Sequence, residues 1–141
     1  MKIYFDTSFL VSLYARDANS SRAIAAVPAG ALKMITQFGE LEFGNALQQR
    51  VFRRQMKEAE ARLIWGDFQR DLGERVFQYH PFNADWLARA MLLSRNHTAV
   101  LGVRTLDLVH VASALELEAE ALFTFDNAQR ALAKALRMRI N

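Results

Sequence analysis

The chain has 141 residues, enough for one ordinary domain, and its 52% apolar and 23% charged content excludes a disordered polymer. The absence of cysteine excludes a disulfide scaffold, a thiolate zinc site, an iron–sulfur cluster and a cysteine nucleophile. No apolar run approaches the ~18 residues needed to span a bilayer, so no membrane segment is expected. Net charge is +3, carried mostly by arginine, with a pI near 9.6. That balance is compatible with a polyanionic partner without demonstrating one.

At the N-terminus, Ile3-Tyr4-Phe5 is cut short by Asp6, which is not a signal-peptide pattern, and a cytoplasmic protein is expected. Residues 2–5 form a short β-prone run. Thr7 or Ser8 is placed to cap a helix through Leu13, and Ser20 or Ser21 to cap a second helix from Arg22 to Val27, stopped by Pro28. Leu32 to Thr36 reads as a second strand. Glu40 to Arg54 and Lys57 to Leu72 show helical periodicity, the latter ended by Gly73. Arg75 to Tyr79 reads as a third strand, broken by Pro81. Asn83 caps a helix to about Asn96, and a loop with Gly102 leads to a helix from Thr105 to Leu117. Ala121 to Phe125 is a fourth strand, a helix runs to Leu136, and Met138 to Ile140 is a short last strand. The alternation predicts an α/β fold with a mostly parallel, roughly five-stranded sheet covered on both faces. Ligands of such sheets bind beyond the carboxyl ends of the strands.

That rule draws attention to four acids. Asp6 follows strand one and Asp126 follows strand four. Glu42 lies just after strand two, in the first turn of its helix, and Asp107 lies in the first turn of the helix before strand four. Acids at helix N-termini are favoured by the macrodipole at ~0.3–1 kcal/mol with no function implied, and Asp126 could simply cap its helix. Carboxylates gathered at one edge would, however, repel one another without a cation. Oxygen-only ligands point to a hard divalent ion, Mg²⁺ with Mn²⁺ as substitute, able to acidify a water and clamp phosphodiester oxygens. With the four acids set aside, the rest of the surface is distinctly basic, as a phosphate-backbone reader needs.

Ile3-Tyr4-Phe5-Asp6-Thr7-Ser8, Glu42-Phe43-Gly44-Asn45-Ala46-Leu47, Arg104 to Ala114 (Arg-Thr-Leu-Asp-Leu-Val-His-Val-Ala-Ser-Ala) and Leu122-Phe123-Thr124-Phe125-Asp126 together resemble the motifs of the PIN-domain nucleases. Among these the chain most resembles the VapC-type toxins of toxin–antitoxin pairs. The resemblance covers residues 1–141 as one PIN-like α/β/α sandwich. It implies an Mg²⁺-dependent endoribonuclease that cuts RNA, forms a homodimer and is held inactive by a VapB-like antitoxin. By motif, Asp6 and Asp107 would be the principal metal ligands. Glu42 would complete the site or activate water, and Asp126 would bind a second or transient ion. Ser8 and Thr124 would orient carboxylates or bound water. Glu42 is preferred to Glu40 because Asn45-Ala46-Leu47 follows at the family's distance, and the two point ~200° apart on a helix.

His110 shares a helix face with Asp107, but its apolar neighbours favour a hydrogen-bonded core histidine over a ligand. His80 and His97 fall in loops with no visible partner. Arg50, Arg53 and Arg54 end a helix, where they either complement its dipole or contact phosphate. Arg104 is better placed, for substrate or for pairing with the acids, whereas Arg137 and Arg139 read as surface. Phe5, Phe9, Phe123 and Phe125 read as core beneath the site. Phe9, Leu10, Leu13, Tyr14, Ile64, Trp65 and Phe68 read as core, with a dimer or antitoxin surface as the alternative.

A haloacid-dehalogenase-like phosphatase would need Asp where Ser8 stands. A receiver domain would need a phosphorylatable Asp where His80-Pro81 stands, and no phosphate-binding glycine loop is present. The remaining alternatives are a catalytically idle PIN-like module that binds RNA or protein, and an RNA-processing nuclease outside toxin–antitoxin systems.

Overall fold

A computed structural model describes residues 1–141. Five strands, β1 (Lys2–Phe5), β2 (Leu32–Thr36), β3 (Gln78–His80), β4 (Ala121–Phe123) and β5 (Arg139–Ile140), form one parallel sheet in the order β3-β2-β1-β4-β5. The chain builds outward from β1 in one direction and then in the other. The carboxyl end of β1 is therefore the topological switch point, where a crevice must open.

Helices α1 (Thr7–Tyr14), α2 (Ser20–Ala26), α3 (Gln37–Phe52) and α4 (Glu58–Gly73) precede β3. After it, α5 (Trp86–Leu93) continues through a π turn at Ser94–Thr98 into the short α6 (Ala99–Leu101). Helix α7 (Thr105–Glu116) leads into β4, and α8 (Asn127–Ala135) into β5. Strand β1 is buried on both faces, which explains its unbroken apolar run. Ile3 and Phe5 join Phe9, Leu10, Phe43, Leu47, Ile64 and Phe68 in one core layer. Tyr4 and Leu122 face the other way, onto Val111, Ala112 and Leu132. Truncating a fully buried ring such as Phe68 to alanine would cost about 3–5 kcal/mol.

The α/β/α sandwich is as expected, but several boundaries move. Asp6 caps α1, accepting Phe9 N–H at 2.8 Å, in place of Thr7 or Ser8. Neither Ser20 nor Ser21 caps α2, which begins at Ser20 itself. Thr36 caps α3, accepting Gly39 N–H at 3.1 Å, so the helix starts three residues before Glu40. Strand β3 is three residues long because Arg75, at φ +58°, turns the chain first. Arg75 N–H returns to Leu72 C=O and Val76 N–H to Asp71 C=O, a helix-ending motif in which the left-handed residue is usually glycine. The same turn recurs at Arg54, Glu118 and Arg137. Gly73, read as the terminator, is instead the last residue of α4. Strand β4 stops at Phe123, leaving Asp126 three residues beyond it.

The apolar residues at issue in α1 and α4 lie in or against the core. The large apolar side chains left exposed are others, among them Leu41, Phe52, Leu63, Val100 and Leu106. No helix is long and apolar enough to cross a membrane.

Candidate active site

A cleft of about 710 Å³ opens at the switch point, and Asp6, Glu42, Asp107 and Asp126 all line it. Each reaches it from a different element. Asp6 leaves β1, Glu42 is on the second turn of α3, Asp107 is in the first turn of α7, and Asp126 precedes α8. Three helix N-termini, those of α1, α7 and α8, therefore meet the cleft, and their dipoles ease the gathering of negative charge, while α3 lines it with one side.

Asp6 is buried and held by three donors, of which the Ser8 hydroxyl shares its one hydrogen between both carboxylate oxygens. Its Oδ1 accepts Phe9 N–H and Ser8 Oγ–H, and its Oδ2 accepts Ser8 Oγ–H at 2.9 Å and Thr124 Oγ1–H at 2.8 Å. Ser8 Oγ in turn accepts Phe125 N–H, and Thr124 Oγ1 accepts Asp126 N–H. Two hydroxyls thus stitch the end of β1 to the β4–α8 connection. Burial pushes the Asp6 carboxyl above its ordinary range, against the lowering effect of His110 and these donors.

Glu42 accepts Thr7 Oγ1–H at 2.7 Å and is hydrogen-bonded to His110 Nε2. Partial burial pushes its carboxyl up, but His110 and Thr7 outweigh that and hold it below its ordinary value. Glu40 points elsewhere and accepts from Tyr79 Oη and Gln69 Nε2. Asp107 is 7% exposed and accepts Gln129 Nε2–H at 3.1 Å and Arg104 Nε–H at 3.0 Å. Arg104 extends a second arm to Asp126 at 3.1 Å, so one guanidinium bridges two of the acids while remaining 75% exposed.

Arg50 and Arg53 stand on the cleft wall; Arg50 lies 3.7 Å from Asp17, and Arg54 does not line the cleft. Phe5, Phe9 and Phe123 are core beneath the site, as expected. Phe125 stacks on Phe9 but also lines the cleft, with the Arg22 guanidinium 5.4 Å from its centroid. His110 is the buried, hydrogen-bonded histidine that its neighbours suggested, yet it also reaches the cleft through Glu42. Thr7 and Gln129 were missed. Thr7 was read only as a cap, and nothing in the spacing of Gln129 links it to Asp107, 22 positions earlier.

No three acidic or histidine side chains are grouped closely enough to hold a metal ion by themselves. The donor set nevertheless fits a hard cation of the Mg²⁺ type, which keeps several waters and takes only one or two carboxylates from protein. A buried orphan points the same way: Gln129 Oε1 has no hydrogen-bond partner although Gln129 lines the cleft, and a hydrated ion would bring donors to it.

The family model described as PIN domain matches residues 3–135, and the chain belongs to that family. No curated protein matches it by sequence. Among solved structures it is similar to VapC20 of Mycobacterium tuberculosis, described as a sarcin–ricin loop cleaving toxin. The identity is 20% and the TM-score 0.67, covering 92% of this chain and 93% of that one. It is also similar to VapBC2 of Rickettsia felis, bound to a DNA fragment from its promoter, at 13% identity and TM-score 0.67, covering 100% and 98%. FitAcB of Neisseria gonorrhoeae matches at 13% identity and TM-score 0.64, covering 98% and 95%.

Proposed function

We propose that this protein is a divalent-metal-dependent endoribonuclease, the toxin of a toxin–antitoxin pair acting on RNA in the cytoplasm. The observation that carries the reading is one polar cleft lined by four carboxylates from four chain segments, with arginines on its wall. Membership of the PIN family and the likeness in fold to VapC20, VapBC2 and FitAcB support it.

Asp6 and Asp107 are the principal ligands of Mg²⁺, which Mn²⁺ can replace. Glu42 completes the set or takes a proton from the attacking water, and Asp126 serves a second or transient ion. A divalent ion held by these residues would supply positive charge to the phosphodiester oxygens and acidify water. Ser8 and Thr124 fix the Asp6 carboxylate through the hydrogen bonds described above, and Arg104, Arg50 and Arg53 are placed to take RNA phosphates. A VapB-like antitoxin and a second copy of the chain are the expected protein partners. The exposed Leu41 and Leu106, beside the cleft, offer apolar surface for such a contact.

Induced expression in a bacterium should arrest growth and leave RNA cut at discrete positions, and Asp107→Asn should do neither. Arrest by the variant equal to the wild type would overturn the nuclease reading. The idle binding module is favoured by one observation, that Arg104 already neutralises two of the acids. RNA binding with no cutting in either Mg²⁺ or Mn²⁺ would select it.

A further inference from the structure

Beneath the cleft, a line of buried polar groups has no place in the four-carboxylate account. Tyr4, Thr36 and His110 are all essentially inaccessible to solvent, on β1, β2 and α7. Tyr4 Oη lies 3.2 Å from Thr36 Oγ1 and 3.0 Å from His110 Nδ1, and His110 Nε2 meets Glu42 Oε2. Such groups stay buried only when each donor finds an acceptor.

Only one order of donors uses every hydrogen. With Nε2–H given to Glu42, Nδ1 must accept from Tyr4, and the Thr36 hydroxyl, which also accepts Gly39 N–H, gives its own hydrogen to Tyr4 Oη. Burial raises the Tyr4 phenol far above its usual range and keeps it a donor. The opposite tautomer would set a nitrogen lone pair against a carboxylate oxygen. Packing allows the ring little freedom to flip. Phe38 lies against it at 4.9 Å between centroids, and the Tyr4 ring meets it edge-on at 5.8 Å.

The consequence falls on Glu42, whose Oε2 takes both the Thr7 and the His110 donations while Oε1 makes no hydrogen bond within the chain. We infer that Thr36, Tyr4 and His110 form a buried relay whose task is to hold Glu42 with Oε2 tied down and Oε1 presented to the cleft. His110 is thus a positioning residue, acting through Glu42 and neither ligating nor transferring protons itself. Partners that fix a ligating side chain in this way are commonly worth 10–100-fold in metal affinity or activity. The inference rests on the proposed role of Glu42 for its effect on hydrolysis, but the relay itself is open to test without RNA or metal.

Nitrogen-15 NMR of the histidine side chains in the metal-free protein reads the tautomer directly. His110 should carry its hydrogen on Nε2 with a slowly exchanging signal, and Tyr4→Phe should release it into faster exchange. A hydrogen on Nδ1, or a freely averaging ring in the wild type, would overturn the relay whatever the protein does to RNA. The functional arm uses Mn²⁺ titration and RNA cleavage. His110→Leu, folded by circular dichroism, should bind Mn²⁺ 10–100-fold more weakly and lose kcat with little change in KM. His110→Gln, whose amide can donate from a position near Nε2, should recover most of the loss. In a Glu42→Gln background, His110→Leu should add little further. Equal losses for His110→Leu and His110→Gln, or full additivity with Glu42→Gln, would reduce His110 to a packing residue. A correct tautomer in a wild-type protein that binds no Mn²⁺ would instead refute the metal reading and leave the relay standing.

Discussion

Asp6 and Thr124 are 118 positions apart and share a 2.8 Å hydrogen bond that closes the end of β1 onto the β4–α8 connection. The bond belongs to a network in which Asp6 is buried, helix-capping and pushed toward its neutral form by burial. Asp6→Asn keeps a side-chain acceptor for Phe9 N–H and removes the charge that burial penalises. Its melting temperature should equal or exceed that of the wild type while RNA cleavage is lost. Asp6→Ala should lose about 1 kcal/mol or more, because it removes the cap and strands the Ser8 and Thr124 hydroxyls. Thermal melts of both variants beside one cleavage assay check this, and an active Asp6→Asn would remove Asp6 from the chemistry.

Arg104 should matter to RNA far more than to folding. Its side chain is 75% exposed, so its pairs with Asp107 and Asp126 contribute well under ~1 kcal/mol to stability. Arg104→Gln should leave the melting temperature nearly unchanged and weaken single-stranded RNA binding. The slope of log affinity against log salt should become shallower by about 0.7, the value for one lost phosphate contact. Fluorescence anisotropy across a salt series measures both quantities.

A cation that binds the folded cleft and not the unfolded chain must raise the melting temperature. Millimolar Mn²⁺ should therefore stabilise the wild type relative to EDTA, and the shift should vanish in Asp107→Asn. Gln129→Leu should reduce the shift, since it removes both the donor to Asp107 and the orphaned Oε1. Differential scanning fluorimetry in the two buffers is sufficient.

Arg75 turns the chain after α4 with φ +58°, a conformation that costs a residue with a Cβ roughly 1 kcal/mol relative to glycine. Arg75 is exposed. Arg75→Gly should accordingly raise the melting temperature by a few degrees with activity unchanged, as thermal melts and the cleavage assay would show.

The same turn marks the limit of what the sequence revealed. The parallel sheet was legible because β1, β2 and β4 are short apolar runs buried on both faces, with helices between them. The ends of α3, α4, α7 and α8 fall within two residues of those expected, but the turns that follow them use Arg or Glu where glycine would have flagged the stop, and the third strand is expected too early, at Arg75, for that reason. Helix starts were misplaced for a related reason. Asp6 and Thr36 end their strands and cap the following helices at once, so residues assigned to one element also serve the next. Within the cleft, the four acids could be found from their positions after strands and at helix starts. The choice of Glu42 over Glu40 rests on the family resemblance, and in the fold Glu42 lines the cleft while Glu40 pairs with Tyr79 and Gln69. The links that hold them were not visible. Ser8 to Thr124, Gln129 to Asp107 and Tyr4 to His110 join elements that meet only in the folded sheet. The apolar neighbours of His110 correctly indicated a buried, hydrogen-bonded ring, but not its partner Glu42, 68 positions away in the chain.

Cleavage of RNA by the purified protein in Mg²⁺ and in EDTA, with Asp107→Asn run alongside, decides whether the cleft is a metal-dependent hydrolytic centre. Cuts at discrete positions are expected in Mg²⁺, disappearing on chelation and falling to background in the variant. Cleavage that persists in EDTA, or that Asp107→Asn performs at the wild-type rate, would show that the cleft is not such a centre.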